Sequence, residues 1–398
     1  MIPYPSYVET AISRLEAAGF EAYVVGGALR DALLGASPYD WDVTTSATPE
    51  QMQAIFSDFG TVESGLKHGT LCVIIEHTPV EITTFRIDGG YTDARHPTSV
   101  TFTPNLREDL ARRDFTVNAL AYSRGTGLVD LFCGKQDLKN KIIRAVGDPE
   151  KRFSEDALRI LRAFRFASKL GFTIEKNTLA GIKACREGLL KISAERISHE
   201  LEGIVVGKCA YESLCEMKEC GVLSLVATPM AHGLSASAPL DTLPREFPIR
   251  MAYLLRHAEE KEVSALLSAL RLSNDTTRHI KTLLALLPHA DTDLDDYGVR
   301  RLMSLSGELF PELLQLAEVD GKEVSSLRAS SERFVLRGDC VHPSDLAVDG
   351  SALINLGFSG KEIGECLASL FDAVLHDPEK NVKEILLALV AEKKSLDK

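Results

Sequence analysis

Apolar and polar positions follow two different rhythms along the chain, and the change falls near residue 148. Before that point, short β-rich runs such as Glu21–Val25 and Asp42–Thr45 alternate with helix-like runs. Two longer apolar runs, Gly69–Glu76 and Pro79–Phe85, are separated by only two residues, which predicts a β-hairpin. The first part of the chain is therefore expected to combine a sheet with helices.

From residue 148 onward the strand-like runs stop, and apolar positions recur with the helical period of 3.6 residues. This rhythm is interrupted most clearly at residues 229–248 and again at 338–343. Earlier in the chain, residues 86–100 are polar and glycine-containing without periodicity, which predicts a loop. The pattern therefore predicts an α+β fold, with a mixed sheet first and an all-helical remainder.

Composition is that of an ordinary soluble globular protein. The chain has 398 residues, of which 45% are hydrophobic and 26% charged, and we find no apolar run long enough for a membrane span. The first twenty residues lack the basic start and apolar run of a secretory signal, which favours a cytoplasmic location. The eight cysteines form no C-x-x-C pair, so we interpret them as reduced thiols.

The net charge of −12 is distributed unevenly. Taken alone, a negative sum argues against a nucleic-acid-binding protein. However, residues 95–165 hold fourteen Lys or Arg and nine Asp or Glu, so this segment is positive on an acidic background. Such a segment can bind a polyanion, provided that its basic side chains face one way.

The first strand-like run is followed by Gly26 and Gly27 and then by a helix-like run. A strand, two glycines and a helix start expose backbone N–H groups at the positive end of the helix, where anions bind. Arg30, one turn into the helix, can add a charged contact to a phosphate. Turns of this kind are also common structural devices, so the segment alone leaves both interpretations open.

Asp40 and Asp42 come next and flank Trp41. Residues i and i+2 of a strand project from the same face, so the two carboxylates are expected side by side. Close carboxylates repel each other unless a cation lies between them, and Mg²⁺ is commonly held by one or two carboxylates together with substrate phosphates. The pair therefore predicts a magnesium site. Glu81, in a β-rich run, either completes this cluster or points to solvent, and we favour the cluster.

Arginines dominate two further segments. Arg112 and Arg113 precede an apolar run that we interpret as helix-forming. Two adjacent arginines suit binding of a triphosphate or an RNA backbone, and the alternative interpretation is a basic patch on the surface. Farther along, an acid and three arginines recur at every third position, which predicts a ridge along one helix. These four residues are Asp156, Arg159, Arg162 and Arg165.

The ridge has two interpretations. One is an amphipathic helix with an i, i+3 salt bridge. The other uses hydrogen-bonding capacity, because Arg supplies only donors and ionised Asp only acceptors. Cytosine and adenine each present an amino donor beside a ring acceptor, which an Asp–Arg pair can match, whereas uracil and guanine would leave buried groups unpaired. The ridge can therefore act as a protein-built template for C and A.

In this order, the segments resemble the class II tRNA nucleotidyltransferases, which comprise CCA-adding enzymes and bacterial poly(A) polymerases. The matching motifs are G-G-x-x-R-D at 26–31, D-x-D at 40–42, R-R-D-F-T-x-N-A at 112–119 and E-D-x-L-R-x-x-R-A-x-R-F at 155–166, with weaker similarity at 193–201 and 355–367. The resemblance implies a polymerase-β-like nucleotidyltransferase head over residues 1–147. It further implies a helical neck with base recognition over 148–206 and a helical, tRNA-binding body and tail over 207–398.

The resemblance also implies a role for each motif residue. Asp40 and Asp42 would bind two Mg²⁺; Glu81, predicted from the strand pattern and not from the resemblance, is the candidate third catalytic acid. The incoming triphosphate would be held by Gly26, Gly27, Arg30 and Arg113. The base would be read by Asp156 and Arg159, with support from Arg162 and Arg165. The implied reaction adds C, C and A from CTP and ATP to the 3′ end of tRNA and releases pyrophosphate. The enzyme would contact the acceptor stem and elbow of the tRNA, and no protein partner can be deduced.

Related activities stay open at this point. An A-adding enzyme or a poly(A) polymerase would share these motifs, although the poly(A) enzymes usually carry a strongly basic C-terminal extension that is not found here. In the family that this sequence resembles, enzymes that add only the two cytidines typically lack a loop at the position of 86–100, so the resemblance favours adenine addition. A binding protein without catalysis is disfavoured because both aspartates of D-x-D are present. The one His-Asp dipeptide, His376-Asp377, is interpreted as a helix end, so we expect no phosphohydrolase activity.

Overall fold

A computed structural model describes residues 2–38, 40–89, 100–234, 240–291 and 293–396. The chain divides into two compact units, one formed by Met1–Leu234 with Ser268–Arg271 and the other by Ser235–Leu267 with Leu272–Lys398. Every strand in the described ranges lies in the first unit, as do the motifs at 26–31, 40–42, 112–119 and 155–166, whereas the weaker match at 355–367 lies in the second. No helix within those ranges is long and apolar enough to cross a membrane.

A mixed seven-stranded sheet forms the centre of the first unit, as the sequence predicts. The strands are β1 Ala22–Val25, β2 Asp42–Thr45, β3 Gly60–Val62, β4 Thr70–Ile75, β5 Thr78–Thr84, β6 Arg86–Asp88, β7 Val100–Phe102, β8 Leu120–Ser123, β9 Gly127–Asp130, β10 Ile142–Ile143 and β11 Thr173–Ile174. The order of the large sheet is β3-β4-β5-β2-β1-β8-β9. Only the pairing of β2 with β5 in this sheet is parallel; its other neighbours are antiparallel.

The register of the sheet positions the candidate site. Asp42, the first residue of β2, pairs with Val25 at the end of β1 on one side and with Glu81 of β5 on the other. Val25 also pairs with Ala121 of β8. The glycine turn after β1, the aspartates before and in β2, and the arginine motif before β8 therefore meet at one edge of the sheet.

Helices make up most of the rest of the described residues. In the first unit they are α1 Ser6–Ala17, α2 Gly26–Leu33, α3 Pro49–Ile55, α4 Leu106–Ala111, α5 Gly134–Asn140, α6 Pro149–Glu155, α7 Leu158–Leu170, α8 Lys176–Cys185, α9 Ala194–Val205, α10 Ala210–Glu219 and α11 Leu223–Val226. They continue as α12 Phe247–Leu255, α13 Glu260–Ala269, α14 Asn274–Leu286, α15 Asp296–Ser306, α16 Phe310–Val319, α17 Ser325–Arg337, α18 Gly350–Asn355, α19 Lys361–His376 and α20 Lys383–Leu396. Helix α19 ends at His376, as predicted from the His-Asp dipeptide.

Local chemistry explains the hairpin, which the structure confirms. Strands β4 and β5 are antiparallel, and the residues between them include Glu76 and His77, both with positive φ. The two apolar runs alternate buried and less buried positions, so one face of the hairpin packs into the core. The hairpin places Glu81 on the strand beside β2.

Three predictions of local structure are wrong. The segment predicted as a loop at 86–100 begins with β6 and ends with the first residue of β7, and the two strands pair through backbone hydrogen bonds. Residues 90–99 of this segment lie outside the described ranges. The run after Arg113 forms a 3₁₀ turn, Thr116–Asn118, and then β8 rather than an α-helix. The helical remainder contains one short strand, β11, which pairs with β10.

The most consequential correction concerns Asp156, which does not lie on the same helix as the arginines. It ends α6 in an extended conformation, with φ −143° and ψ 102°, and α7 begins at Leu158. The Asp156 carboxylate accepts a hydrogen bond from the Leu158 N–H at 3.0 Å, so it caps the new helix. The three-residue spacing therefore predicts the arginine ridge correctly but not the break before it.

Candidate functional site

One cavity of the first unit, with a volume of about 770 Å³, collects most of the predicted site residues. Its acidic lining residues are Asp31, Asp40, Asp42, Asp114 and Asp156, and its basic ones are Arg30, Arg112, Arg113, Arg159, Arg162, Arg165, Lys169 and Arg196. Gly26 and Gly27 also line it. Of the predicted site residues, Glu81 alone is outside this lining. The cavity is strongly polar and carries more positive than negative groups, which suits an anionic ligand that brings a cation.

Gly26 forms the turn between β1 and α2. Its φ of +75° is disfavoured for other residues, and a Cβ there would lie 3.4 Å from Asp42 Oδ2 and 3.5 Å from Arg113 Nη1. Gly26 therefore keeps the space between a carboxylate and a guanidinium open. Gly26, Gly27 and Ala28, the first residues of α2, line the cavity, which agrees with the anion-site hypothesis.

The two aspartates of D-x-D lie together, and Trp41 between them is buried. The Asp42 carboxylate lines the cavity but is largely surrounded by protein atoms, and this burial raises its pKa. The charge of Arg113 lowers the pKa of Asp42, whereas the negative charges of Glu81 and Asp40 raise it. Glu81 is thus an electrostatic neighbour of Asp42 across the sheet. No group of three or more His, Cys, Asp or Glu in the described ranges is arranged to hold a metal ion, so the geometry offers a carboxylate pair.

Arg30 is almost completely buried, with 3% of its surface exposed. Its Nε donates to Asp31 Oδ1 and its Nη1 to Asn118 Oδ1, both at 2.7 Å. Both bonds fix the guanidinium beside Gly27, whose Cβ would lie 3.5 Å from Arg30 Nη2. A buried, fixed Arg beside a helix start is preorganised for an anion.

Arg112 and Arg113 both donate to Asp109, at 2.8 Å and 3.3 Å. Asp109 is fully buried, which raises its pKa, but the two arginines outweigh burial and hold the pKa below its usual range. The Nε of Arg113 is buried and has no acceptor among the described residues. A buried donor without a partner is costly, and a phosphate oxygen would relieve that cost.

Asp114 and Arg162 form the best-defined ion pair of the cavity. Arg162 donates through Nε at 2.8 Å and Nη2 at 2.6 Å to Asp114 Oδ2, and the Asn118 amide donates to Asp114 Oδ1 at 3.1 Å. Burial raises the pKa of Asp114, but the Arg162 charge and these hydrogen bonds lower it to about 2. Asp114 is therefore ionised over the whole physiological range.

Asp156 and Arg159 both line the cavity but contact different partners. Arg196 of α9 donates to Asp156 Oδ2 at 3.1 Å. Arg159 donates to Glu155 Oε2 at 2.9 Å and to the Arg112 carbonyl at 3.0 Å. Arg196 therefore holds Asp156, and Glu155 holds Arg159, so the two members of the predicted pair do not hold each other. Both side chains line the same cavity.

Helix α9 supports the arginine ridge. Arg165 Nε donates to Glu200 Oε2 at 2.6 Å, and Ser168 of α7 donates to the Ile204 carbonyl at 2.7 Å. The two helices approach so closely that a Cβ on Gly207, just after α9, would lie 1.8 Å from Ser168 Oγ. This contact fixes the orientation of α7, and with it the direction in which the ridge points.

Comparisons with known proteins decide the family. Family models match residues 22–144 as a poly A polymerase head domain, residues 250–390 as tRNA nucleotidyltransferase domain 2, and residues 171–231 as the RNA- and SrmB-binding site of polymerase A. The CCA-adding enzyme of Leuconostoc mesenteroides is 35% identical over 92% of this chain and 90% of its own length, and that of Enterococcus faecalis is 35% identical over 96% and 95%. The chain belongs to the CCA-adding enzyme family.

Solved structures agree with this family. The Bacillus stearothermophilus CCA-adding enzyme in complex with CTP matches with a TM-score of 0.82 and 31% identity, and 98% of each chain is covered. The Thermotoga maritima enzyme complexed with tRNA-CCA has the same fold, with a TM-score of 0.67 at 21% identity over 97% of this chain and 94% of that one. The polymerase-β-like head expected from the motifs is thereby confirmed.

Several lining residues of this family member were not singled out from the sequence. Asp114 and Asn118 lie inside the quoted R-R-D-F-T-x-N-A motif, where the sequence points only to the two arginines. Glu155 and Glu200 do not line the cavity but pair with Arg159 and Arg165, and they lie inside quoted segments as well. One signal in the sequence could have found the acids among them. Clustered arginines need carboxylate partners when they are partly buried, and Asp114, Glu155 and Glu200 are acids within the quoted segments. Lys169 continues the ridge at i+4 from Arg165 and was also missed.

Proposed function

We propose that this chain is a template-independent tRNA nucleotidyltransferase that adds C, C and A to the 3′ end of tRNA from CTP and ATP. The tRNA 3′-hydroxyl oxygen forms a bond to the α-phosphate of the nucleotide, and the bond between the α- and β-phosphates breaks to release pyrophosphate. Two such steps with CTP and one with ATP complete the CCA end. The observation that supports this best is the meeting of the D-x-D carboxylates and the Asp156–Arg159 side chains in one cavity.

The triphosphate is assigned to the end of the cavity at Gly26 and Gly27. Backbone N–H groups at the start of α2 and the fixed Arg30 guanidinium provide donors there. Arg113 contributes its buried Nε, which lacks an acceptor in the described part of the chain. These groups bind and orient the phosphates for in-line attack.

Asp40 and Asp42 are assigned as the metal ligands. Their oxygen donors suit a hard divalent cation, and a cation would offset the burial and the charges of Glu81 and Asp40 that raise the pKa of Asp42. Members of this family are metal-dependent, and we propose Mg²⁺ as the ion. When bound, it polarises the reacting phosphate and lowers the pKa of the attacking hydroxyl. Glu81, which is outside the cavity lining, keeps the proposed role of a third acid that acts on Asp42.

The base is assigned to the opposite end of the cavity. Asp156 accepts from the amino group of cytosine or adenine, and Arg159 donates to the neighbouring ring or carbonyl acceptor. Arg196 and Glu155 hold these two side chains in place before the nucleotide arrives. Arg162 and Arg165, on the same helix, support the nucleotide between its base and phosphate ends.

The remaining assignments concern the rest of the chain. We propose a catalytic head over residues 1–147, a neck over 148–206, and a body and tail over 207–398 that bind the tRNA acceptor stem and elbow. Because the chain outside residues 95–165 is acidic, recognition of the tRNA is expected to depend on shape and a few backbone contacts. A cytoplasmic location is proposed to accompany this activity.

The direct test is incubation of the purified protein with tRNA that lacks its last three residues, followed by sequencing of the products. With CTP alone the proposal expects two added cytidines, and with CTP and ATP together a complete CCA end. Addition of a single A only to tRNA ending in CC would instead indicate an A-adding enzyme. Long runs of A would indicate a poly(A) polymerase, and no addition would contradict the proposal.

A further inference from the structure

The arginines of the cavity are already engaged with protein carboxylates. Within the described residues, each lining arginine donates to an Asp or Glu oxygen at 3.3 Å or less, through the pairs Arg30–Asp31, Arg112–Asp109, Arg113–Asp109, Arg159–Glu155, Arg162–Asp114, Arg165–Glu200 and Arg196–Asp156. Most of the positive charge of the wall is therefore neutralised before a ligand enters.

Lys169 is the exception among these lining cations. Its Nζ lies 4.0 Å from Asp31 Oδ2, beyond hydrogen-bonding distance, and 55% of its side chain is exposed. The side chains of the lining arginines are between 4% and 34% exposed. An ammonium group with three donors and no close acceptor can follow a phosphate group, whereas the fixed guanidiniums cannot.

The place of Lys169 along α7 indicates which part of a ligand it meets. Ten residues separate it from Arg159, which corresponds to about 15 Å along the helix axis. If the base lies at Arg159, as proposed above, the nucleotide extends along α7 with its phosphates leading away from the base. Lys169 stands at that far end, beside Asp31, which also accepts from Arg30 at the start of α2.

We infer that Lys169 binds the outermost phosphate of the incoming nucleoside triphosphate and the pyrophosphate that leaves. This inference rests on the proposed function, because it takes its direction from the base end of the site. Asp31 holds Lys169 near Arg30 at a distance that permits exchange: when the phosphate enters, the ammonium turns from Asp31 to the phosphate oxygens. Lys169 is then the lining cation that changes its partner when the ligand binds, whereas the lining arginines stay paired with their carboxylates.

The test compares three variants by binding and by kinetics. Lys169→Met removes the charge, Lys169→Arg keeps it, and Lys67→Met removes another exposed lysine that does not line the cavity and lies outside the proposed tRNA-binding body. Inorganic pyrophosphate and CTP are titrated into each protein in the presence of Mg²⁺. The KM for CTP and for tRNA and the inhibition constant of pyrophosphate are then measured.

We expect Lys169→Met to weaken pyrophosphate and CTP binding about three- to tenfold, with the KM for tRNA and kcat little changed, since one charged contact at a partly exposed site is lost. Lys169→Arg should restore most of the affinity, and Lys67→Met should match the unmodified protein. A raised KM for tRNA with unchanged pyrophosphate binding would overturn the inference and assign Lys169 to the tRNA. Unchanged binding of both phosphate ligands would also overturn it. An unmodified protein that fails to extend tRNA contradicts the proposed function, whereas the titrations still decide the role of Lys169.

Discussion

Two buried arginine–carboxylate pairs, one in each unit, use the same chemistry for different ends. In the first unit Arg162 donates to Asp114 at 2.6 Å, and in the second Arg300 donates to Asp339 at 2.8 Å. Both carboxylates are almost fully buried, with 7% and 5% of the side chain exposed. The arginines differ, because Arg162 is 34% exposed and Arg300 only 5%.

The surroundings explain this difference. Arg300, on α15, also donates to the Leu375 carbonyl of α19 and lies over the Phe334 ring of α17 at 4.4 Å. It therefore connects three helices and satisfies its donors within the core. Arg162 lies over the Phe166 ring at 5.3 Å but keeps part of its guanidinium in the cavity.

This comparison teaches that an ion pair alone does not identify a functional site. A pair enclosed on all sides contributes to the geometry of the fold, and breaking it destabilises the protein. A pair with one side open to a cavity can also contact a ligand while its carboxylate partner holds it in place. The predictions below separate these two cases.

The largest effect is expected for Asp42→Asn, which removes a proposed metal ligand. Nucleotide incorporation should fall at least about a thousandfold, because the metal supplies several kcal/mol of transition-state stabilisation. The thermal midpoint in metal-free buffer should stay the same or rise, since burial, Glu81 and Asp40 all disfavour the Asp42 charge. Asp58→Asn, at an exposed carboxylate paired with Arg14, is the control and should leave both quantities unchanged. Equal incorporation by the Asp42 variant would refute the metal assignment.

Next in size is Arg300→Met in the second unit. The free energy of unfolding, measured with denaturant, should fall by about 3 kcal/mol, because Asp339 stays buried with one partner fewer. Arg337 contacts the same carboxylate at 2.6 Å but is 48% exposed, so Arg337→Met should cost less than about 1 kcal/mol. Equal losses in the two variants would show that burial does not set the importance of this pair.

A smaller effect, on specificity, is expected for Asp156→Asn. An amide can donate as well as accept, so it tolerates the carbonyl that uracil presents in place of the amino group. The ratio of kcat/KM for CTP to that for UTP should fall at least about tenfold. Asp148→Asn is a suitable control because Asp148 caps α6 outside the cavity lining, and Asn is an equally good cap. An unchanged ratio would remove Asp156 from base recognition.

The smallest effect concerns pH. The pKa of Asp114 is lowered from 3.8 to about 2, so its pairing stabilises the fold fully above about pH 4, and this contribution is lost as the pH falls toward 2. Of the roughly 2 kcal/mol to which this shift corresponds, only about 1 kcal/mol is lost between pH 6 and pH 3. Denaturant titrations between pH 6 and pH 3 should show the stability difference between the unmodified protein and Arg162→Met shrinking as the pH falls. A difference that is constant over this range would contradict the coupling.

Sequence patterns predict the local elements of the head well. The hairpin is fixed by two apolar runs and a two-residue turn, and α3 by Thr48, which forms a capping box with Gln51. Such features depend on neighbours in the chain, so one sequence suffices to find them. The glycine turn and the D-x-D pair could be brought together only through the resemblance, since the register that joins them spans three strands.

Partners distant in sequence could not be predicted. Arg162 binds an aspartate 48 positions away, and Arg165 a glutamate 35 positions away, so the ridge alone says nothing about which charges are already neutralised. The break at Asp156 was missed because its side-chain cap competes with the helix, a balance that periodicity does not report. Burial of Arg30 is likewise a property of the packed chain.

The central claim is that one cavity holds the nucleotide with its base at Asp156 and its phosphates at the D-x-D end. A crystal structure with CTP and Mg²⁺ tests this most directly. We expect the cytosine amino group within hydrogen-bonding distance of Asp156, and the phosphates between Gly27, Arg30 and the two aspartates. A nucleotide bound in the reverse direction, or outside this cavity, would contradict it.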